Sequence, residues 1–370
     1  MVFSDLLKLM VHKKASDLFI TTGVPPSIKV DGKVTPVTKQ ALTPDQSRAF
    51  AYGIMTEEQR RQFEAHNECN FAIYPREIGR FRVNIFMQQG CVGMVLRTIE
   101  TKIPKFDELS LPKVLADISL TKRGLVIFVG ATGSGKSTSL AAMVGYRNEY
   151  SYGHIITIED PVEFVHDHKN CIVTQREVGV DTESWENALK NTLRQAPDVI
   201  LIGEVRARET MDYAVQFAET GHLCLCTLHA NSSNQALDRI INFFPEEKRA
   251  QLFMDLSLNL KAIISQRLIP KKDGKGRVPA VEVMINSPLI ADLIMKGDIP
   301  GIKDIMKKST EAGMQTFDQS LFALYEAGLI SYDDALRNAD SQNDLRLRIK
   351  LEGKDANASS LGESMRNVTY

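Results

Sequence analysis

A chain of 370 residues has room for two to three domains of ordinary size. Hydrophobic residues make up 43% of it and charged residues 25%, a globular balance that excludes collagenous, fibrous and largely disordered classes. With 45 basic and 46 acidic residues the formal net charge is −1, so no global charge points to nucleic acid or to an anionic membrane surface.

Phe3, Leu6, Leu7, Met10 and Val11 recur at helical spacing and predict an amphipathic opening helix. SDLFIT and SIKV follow as strands, and Asp31-Gly32 between SIKV and KVTPV is a type I′ hairpin signal. Short polar helices are expected around 43–55 and 56–66, and 79–99 reads as two strands joined near Gln89-Gly90. Residues 1–99 thus form a small α/β domain, and 100–113, with Pro104 and Pro112 and little periodicity, is the expected linker. Beyond it GLVIFV, HIITI, DVILIG and HLCLCTLH alternate with helical patterns, the signature of a parallel α/β sheet. A helical pattern over 245–268, a KKDGKGR loop, a strand over 278–285 and short helices complete a second domain over 114–350. Residues 351–370 are small and polar and are expected to form a flexible tail.

Five cysteines are too few and too odd in number for a disulfide framework, no CxxC occurs, and none of the seven histidines completes a zinc pattern. Cys224 and Cys226 share one face of a strand and read as core packing. The opening MVFSDLLKLMVHKKASD has no basic region ahead of an apolar core, and no run of about 18 apolar residues occurs, so a cytoplasmic enzyme without membrane insertion is expected.

Gly130, Ala131, Thr132, Gly133, Ser134, Gly135, Lys136 and Ser137, followed by Thr138, spell GxxxxGK[ST] directly after GLVIFV and before a helical stretch. Glycines let such a loop curl its N–H groups onto phosphate oxygens, and the helix N-terminus adds a favourable dipole. Lys136 neutralises β/γ charge and Ser137 supplies a magnesium ligand. DVILIGE carries Glu204 to a strand end where an acid meets magnesium, and IITIEDPVEF places Glu159, Asp160 and Glu163 beyond a second strand. His222 and His229 bracket LCLCTL seven residues apart, so only one need face the nucleotide, and Thr227 shares the parity of His229 as a γ-phosphate sensor. Arg80 and Arg82 share a strand face and Arg97 lies on the partner strand, either as a solvated face or as arginine fingers.

The combination GATGSGKST, TIEDPVEF, LRQAPDVILIGEVR and ETGHLCLCTLHAN resembles the secretion/pilus ATPases, matching their Walker A, Asp box, Walker B and His box. ISQRLIPKKDGKGRVPAVEVM and ASDLFITTGVPPSIKVDGKV resemble the type IV pilus retraction branch, PilT and PilU, over nearly all of residues 1 to about 350. Within that branch the chain is more similar to the PilU group. It carries LRQAPD where the PilT type has LRQDPD and GEVRARET where that type has GEMRDLET. An AIRNL motif is not recognisable, residues 298–304 standing near where it would fall. These departures leave the nucleotide residues intact and bear on independent retraction.

The resemblance implies a PAS-like N-terminal domain and a RecA-like P-loop ATPase core with a helical C-terminal part. It implies a homo-oligomer, a hexameric ring, docking from the cytoplasm on the inner-membrane pilus platform protein beside the PilT retraction ATPase. On this reading ATP and Mg2+ are the cofactors and ATP sits between the two domains. Lys136 holds phosphate, Ser137 and Glu204 order Mg2+, and Arg82 and Arg97 clamp the γ-phosphate near His229. Glu163 positions or activates water, with Glu204 the competing choice, and both stay open. The function implied is an ATP-hydrolysing motor that assists pilus retraction and twitching motility. The alternative is a nucleotide-binding accessory that strengthens PilT without its own turnover. A DNA translocase would want a basic groove with stacking aromatics, which 7% aromatic content and a single Trp185 do not suggest.

Overall fold

The computed structural model describes residues 2–30, 32–99 and 102–353. Asp31 of the expected turn, Glu100 and Thr101 of the expected linker, and residues 354–370 of the expected tail lie outside the described residues. The chain divides into two compact units. One is Met1–Ile103 with Pro161–His166 and Arg176–Ser184; the other is Pro104–Asp160, Asp167–Gln175 and Trp185–Tyr370.

In the first unit β1 (Asp17–Ile20), β2 (Ser27–Val30), β3 (Lys33–Pro36), β4 (Glu68–Ile73), β5 (Arg80–Gln88) and β6 (Cys91–Ile99) form one sheet. Its order is β3-β2-β1-β6-β5-β4, and every neighbouring pair is antiparallel. Phe81, Val83 and Ile85 of β5 are buried in alternation, so Arg80 and Arg82 point from the opposite face. Helix Phe3–His12 buries Leu6, Leu7 and Met10 in the same core. Thr43 and Thr56 start helices Pro44–Ile54 and Glu57–His66 with capping boxes closed by Gln46 and Gln59, each cap worth about 1 kcal/mol. Positive φ at Gln89 (48°) and Gly90 (73°) turns β5 into β6, as a two-residue hairpin requires.

The second unit holds β7 (Gly124–Val129), β8 (Gly153–Glu159), β9 (Cys171–Glu177, whose last two residues fall in the first unit), β10 (Val199–Ile202), β11 (Leu223–Leu228), β12 (Leu260–Pro270) and β13 (Arg277–Ile285). The sheet order is β13-β12-β7-β11-β10-β8-β9, with β12, β7, β11, β10 and β8 parallel and β13 antiparallel to β12. β7, β10 and β11 are buried along their whole length, which is why they read as unbroken apolar runs.

Three expectations need correction. The helical pattern over 245–268 splits into helix Glu246–Asn259 and β12. The run Ala262–Ile-Ile-Ser-Gln266 is buried throughout between β7 and β13, and an apolar run without alternation does not set its own period. The second unit begins at Pro104, inside the expected linker, where Phe106–Leu109 is a short helix packed near Tyr146. Two segments of the expected second domain, Pro161–His166 and Arg176–Ser184, belong to the first unit.

The C-terminal part is helical: Pro288–Lys296, Ile302–Lys308, Phe317–Glu326, Tyr332–Asn338 and Gln342–Glu352. The last of these runs two residues into the expected tail, because Ser341 caps it and Leu345 and Ile349 pack into a core with Phe317 and Leu321. Among the described residues no helix is long and apolar enough to cross a membrane.

Candidate functional site

The phosphate loop leaves the end of β7 and enters helix Lys136–Tyr150. A Cβ on Gly130 (φ 155°) would stand 2.6 Å from Gln266 O, and one on Gly135 (φ 86°) would stand 2.7 Å from Gln266 Nε2, so only glycine fits at either place. The Lys136 ammonium donates to Gly130 O at 2.8 Å and Ala131 O at 3.0 Å, which folds it back across the loop. Gly130–Ala-Thr-Gly-Ser134 lines a cavity of about 350 Å3 whose other wall includes Asn231, Arg267, Leu268 and Arg277.

Parallel pairing aligns the strand ends beside this loop. Ile202 of β10 stands between Ile158 of β8 and Cys226 of β11, and Leu228 pairs with Val129 of β7. The next residues therefore share the carboxyl edge: Glu159, Glu204, His229 and the loop. Glu204, 19% exposed at its side chain, receives His229 Nε2 at 2.9 Å on one oxygen. Its other oxygen accepts Arg206 Nε at 2.8 Å and Nη2 at 2.7 Å. That hydrogen bond and charge push the Arg206 guanidinium still further toward its protonated form. Thr227 is buried and donates to Gly203 O, so Thr227 and His229 both tie β11 to the Glu204 segment. Glu159 accepts Thr157 Oγ1 at 2.6 Å and Gln175 Nε2 at 3.4 Å. His222 stands at the other end of β11, its Nδ1 3.2 Å from Phe217 O, and serves the turn after helix Arg208–Glu219.

Asp160 ends a segment of the second unit, while Arg80, Arg82, Arg97 and Glu163 lie in the first unit. The sheet register sets Arg82 opposite Arg97, and Arg97 opposite Asp17. Arg97 Nε donates to the buried Asp17 at 2.9 Å, and Arg82 Nη2 donates to the buried Glu177 at 2.9 Å. The second oxygen of Glu177 accepts Val162 N at 3.0 Å, one residue before Glu163, whose own side chain is exposed.

Gln266 was not among the residues expected at the site. It is 2% exposed, donates Nε2 to Ser134 O at 2.9 Å and accepts Ser139 Oγ at 2.8 Å. Its only sequence signal is a polar residue inside the apolar run of β12.

The donor set fits a magnesium-bound nucleotide. Ser134 Oγ is buried and, among the described residues, has no hydrogen-bond partner inside the loop that would hold phosphate. Ser137 and Glu204 offer the hard oxygen donors that Mg2+ takes. Among the described residues no cluster of His, Cys, Asp and Glu forms an all-protein metal cage.

A family model described as Type II/IV secretion system protein matches residues 2–340. Over 361 residues the chain is 65% identical to the type IV pilus ATPase PilU of Pseudomonas aeruginosa, spanning 98% of this chain and 94% of that protein. It is 44% identical over 339 residues to the type IV pilus retraction ATPase PilT of the same organism, spanning 92% of this chain and 98% of that one. The crystal structure of the pilus retraction motor PilT with bound ADP superposes with a TM-score of 0.87 at 40% identity, covering 94% of this chain and 99% of that one. The fold is thus the PilT-like one: a PAS-like first unit, a RecA-like P-loop core and a helical C-terminal part. Strand order, loop and acid-bearing edge agree with a match that runs almost from end to end, and the chain belongs to the type II/IV secretion system protein family of ATPases.

Proposed function

We propose that this protein is an ATP-hydrolysing motor subunit of type IV pilus retraction and twitching motility, working beside a PilT retraction ATPase. The observation that carries the reading is the carboxyl edge itself, where the phosphate loop, Glu159, Glu204 and His229 meet on adjacent parallel strands. Gly130–Ala-Thr-Gly-Ser-Gly-Lys-Ser-Thr138 holds the phosphates through backbone N–H groups, and Lys136 turns its ammonium onto the β/γ oxygens. Ser137 and Glu204 are the residues to hold Mg2+, which when bound offsets phosphate charge. Glu163 or Glu204 orients the attacking water and takes its proton, and Arg82 and Arg97 supply positive charge for the γ-phosphate. A homo-hexameric ring on the inner-membrane platform protein, at the cytoplasmic face, completes the proposal. The full set of acids favours turnover over a purely accessory role.

The test is phosphate release by the full-length protein, alone and with PilT, with native mass read on the same sample. Lys136→Ala and Glu204→Ala are each expected to lower release by at least about 100-fold. Release that survives Lys136→Ala overturns the site. Silence both alone and with PilT replaces the motor with the accessory reading.

A further inference from the structure

We propose that Gln266 is a positioning residue for the phosphate loop, setting from β12 the direction of the loop's N–H groups and hence its nucleotide affinity. The inference rests on the reading that the loop binds nucleotide phosphates.

A primary amide in the middle of a sheet is costly unless its polar atoms are paired. Here both ends of the amide are used. Nε2 holds Ser134 O at 2.9 Å, and Oε1 takes Ser139 Oγ at 2.8 Å. Ser134 precedes Lys136 and Ser137 in the loop, while Ser139 follows them on the first turn of helix Lys136–Tyr150. One side chain thus brackets the two residues that would meet phosphate and metal.

The geometry of a single peptide unit gives this bracket its effect. Carbonyl and N–H of a trans peptide point in opposite directions. Drawing Ser134 O toward β12 therefore turns the N–H of Gly135 away from β12. Gly135 lies 2.7 Å, at its would-be Cβ, from the same Nε2, so the loop is seated against Gln266 with no slack. Gly130 is seated in the same way against the backbone oxygen of Gln266, at 2.6 Å. The glycine spacing of the loop is in this sense a mould of one residue more than a hundred positions away. Arg267, next in β12, lines the cavity beside the loop, so shape and charge reach the same space from consecutive residues.

The experiment measures ADP affinity of the full-length protein by calorimetry in the presence of Mg2+, with melting temperature recorded without nucleotide. Gln266→Met keeps the volume and removes both hydrogen bonds, and is expected to weaken ADP binding about tenfold, or about 1.4 kcal/mol. Gln266→Glu sets a carboxylate against Ser134 O and is expected to weaken it further. Ser139→Ala removes only one of the two bonds and is expected to fall between wild type and Gln266→Met. In phosphate release, with PilT added if release requires it, the defect falls on KM more than on kcat.

A lowered melting temperature with ADP affinity within about twofold of wild type overturns the proposal, because a merely structural role predicts that pattern. Should Gln266→Met fail to fold, Ser139→Ala decides: weakened affinity upholds the proposal and unchanged affinity sinks it. Lys136→Ala run alongside separates the two readings, since wild-type ADP affinity in that variant removes the nucleotide from the loop altogether.

Discussion

Glu204 has both oxygens engaged, one by His229 and the other by two nitrogens of Arg206. A carboxylate gripped from two sides keeps one orientation, which matters for the role proposed for Glu204 at metal or water. The Arg206 side chain is 65% exposed, and exposed pairs contribute about 0–1 kcal/mol to stability, so its value lies in aim rather than in folding. Arg206→Ala is therefore expected to leave the melting temperature within a degree or two while slowing phosphate release about tenfold. Unchanged release would make the pair a surface ornament. Gln266 was hidden from sequence reading at this same scale: a glutamine in an apolar run carries no label saying what it bonds.

Register does at the scale of strands what no local pattern announces. Asp17, Arg97 and Arg82 stand in one row across β1, β6 and β5, with Glu177 closing the far end. Two arginines directly opposite on neighbouring strands repel each other, and the flanking carboxylates offset that repulsion. Glu177→Gln is expected to cost about 1–3 kcal/mol, since it weakens a buried group's bonds to both Arg82 and Val162 N. Faster hydrogen exchange at the Val162 amide checks the expectation, and unchanged exchange there would refute it. The alternation of Phe81, Val83 and Ile85 made the arginine face legible in the sequence. The acids were not legible, because Asp17 and Glu177 lie 80 and 95 residues from their partners. β12 was misread for a different reason: it is buried on both faces, and a strand without a polar side has no period-two signature.

Across the whole second unit, one chain of charges joins the phosphate cavity to the C-terminal helices. Arg267, on the cavity wall, stacks over Phe317 at 3.9 Å and pairs with Asp340 at 2.9 Å. Asp340 in turn binds Lys303, which faces the fully buried Glu282 of β13 at 3.8 Å. Burial opposes the charge of Asp340, but the hydrogen bond and charge of Lys303, with Arg267 behind, outweigh it and hold its carboxyl below the ordinary 3.8. A folded value below the unfolded one means stabilisation that is present above the ordinary value and lost as pH falls through the folded one. The melting-temperature gap between wild type and Asp340→Asn should therefore be open at pH 7 and shrink below about pH 4. A gap that stays constant with pH would dissolve the network as a source of stability.

The two cysteines of β11 add a consequence of another kind. Both are wholly buried in a central strand, between the strand that feeds the phosphate loop and the strand that feeds Glu204. Burial pushes the Cys226 thiol up to about 12 and the Cys224 thiol well above its usual value. Because only the thiolate attacks alkylating reagents, neither sulfur reacts at neutral pH while the sheet is closed. These sulfurs are thus a chemical reporter built into the middle of the molecule: a label on either one records that β11 has opened.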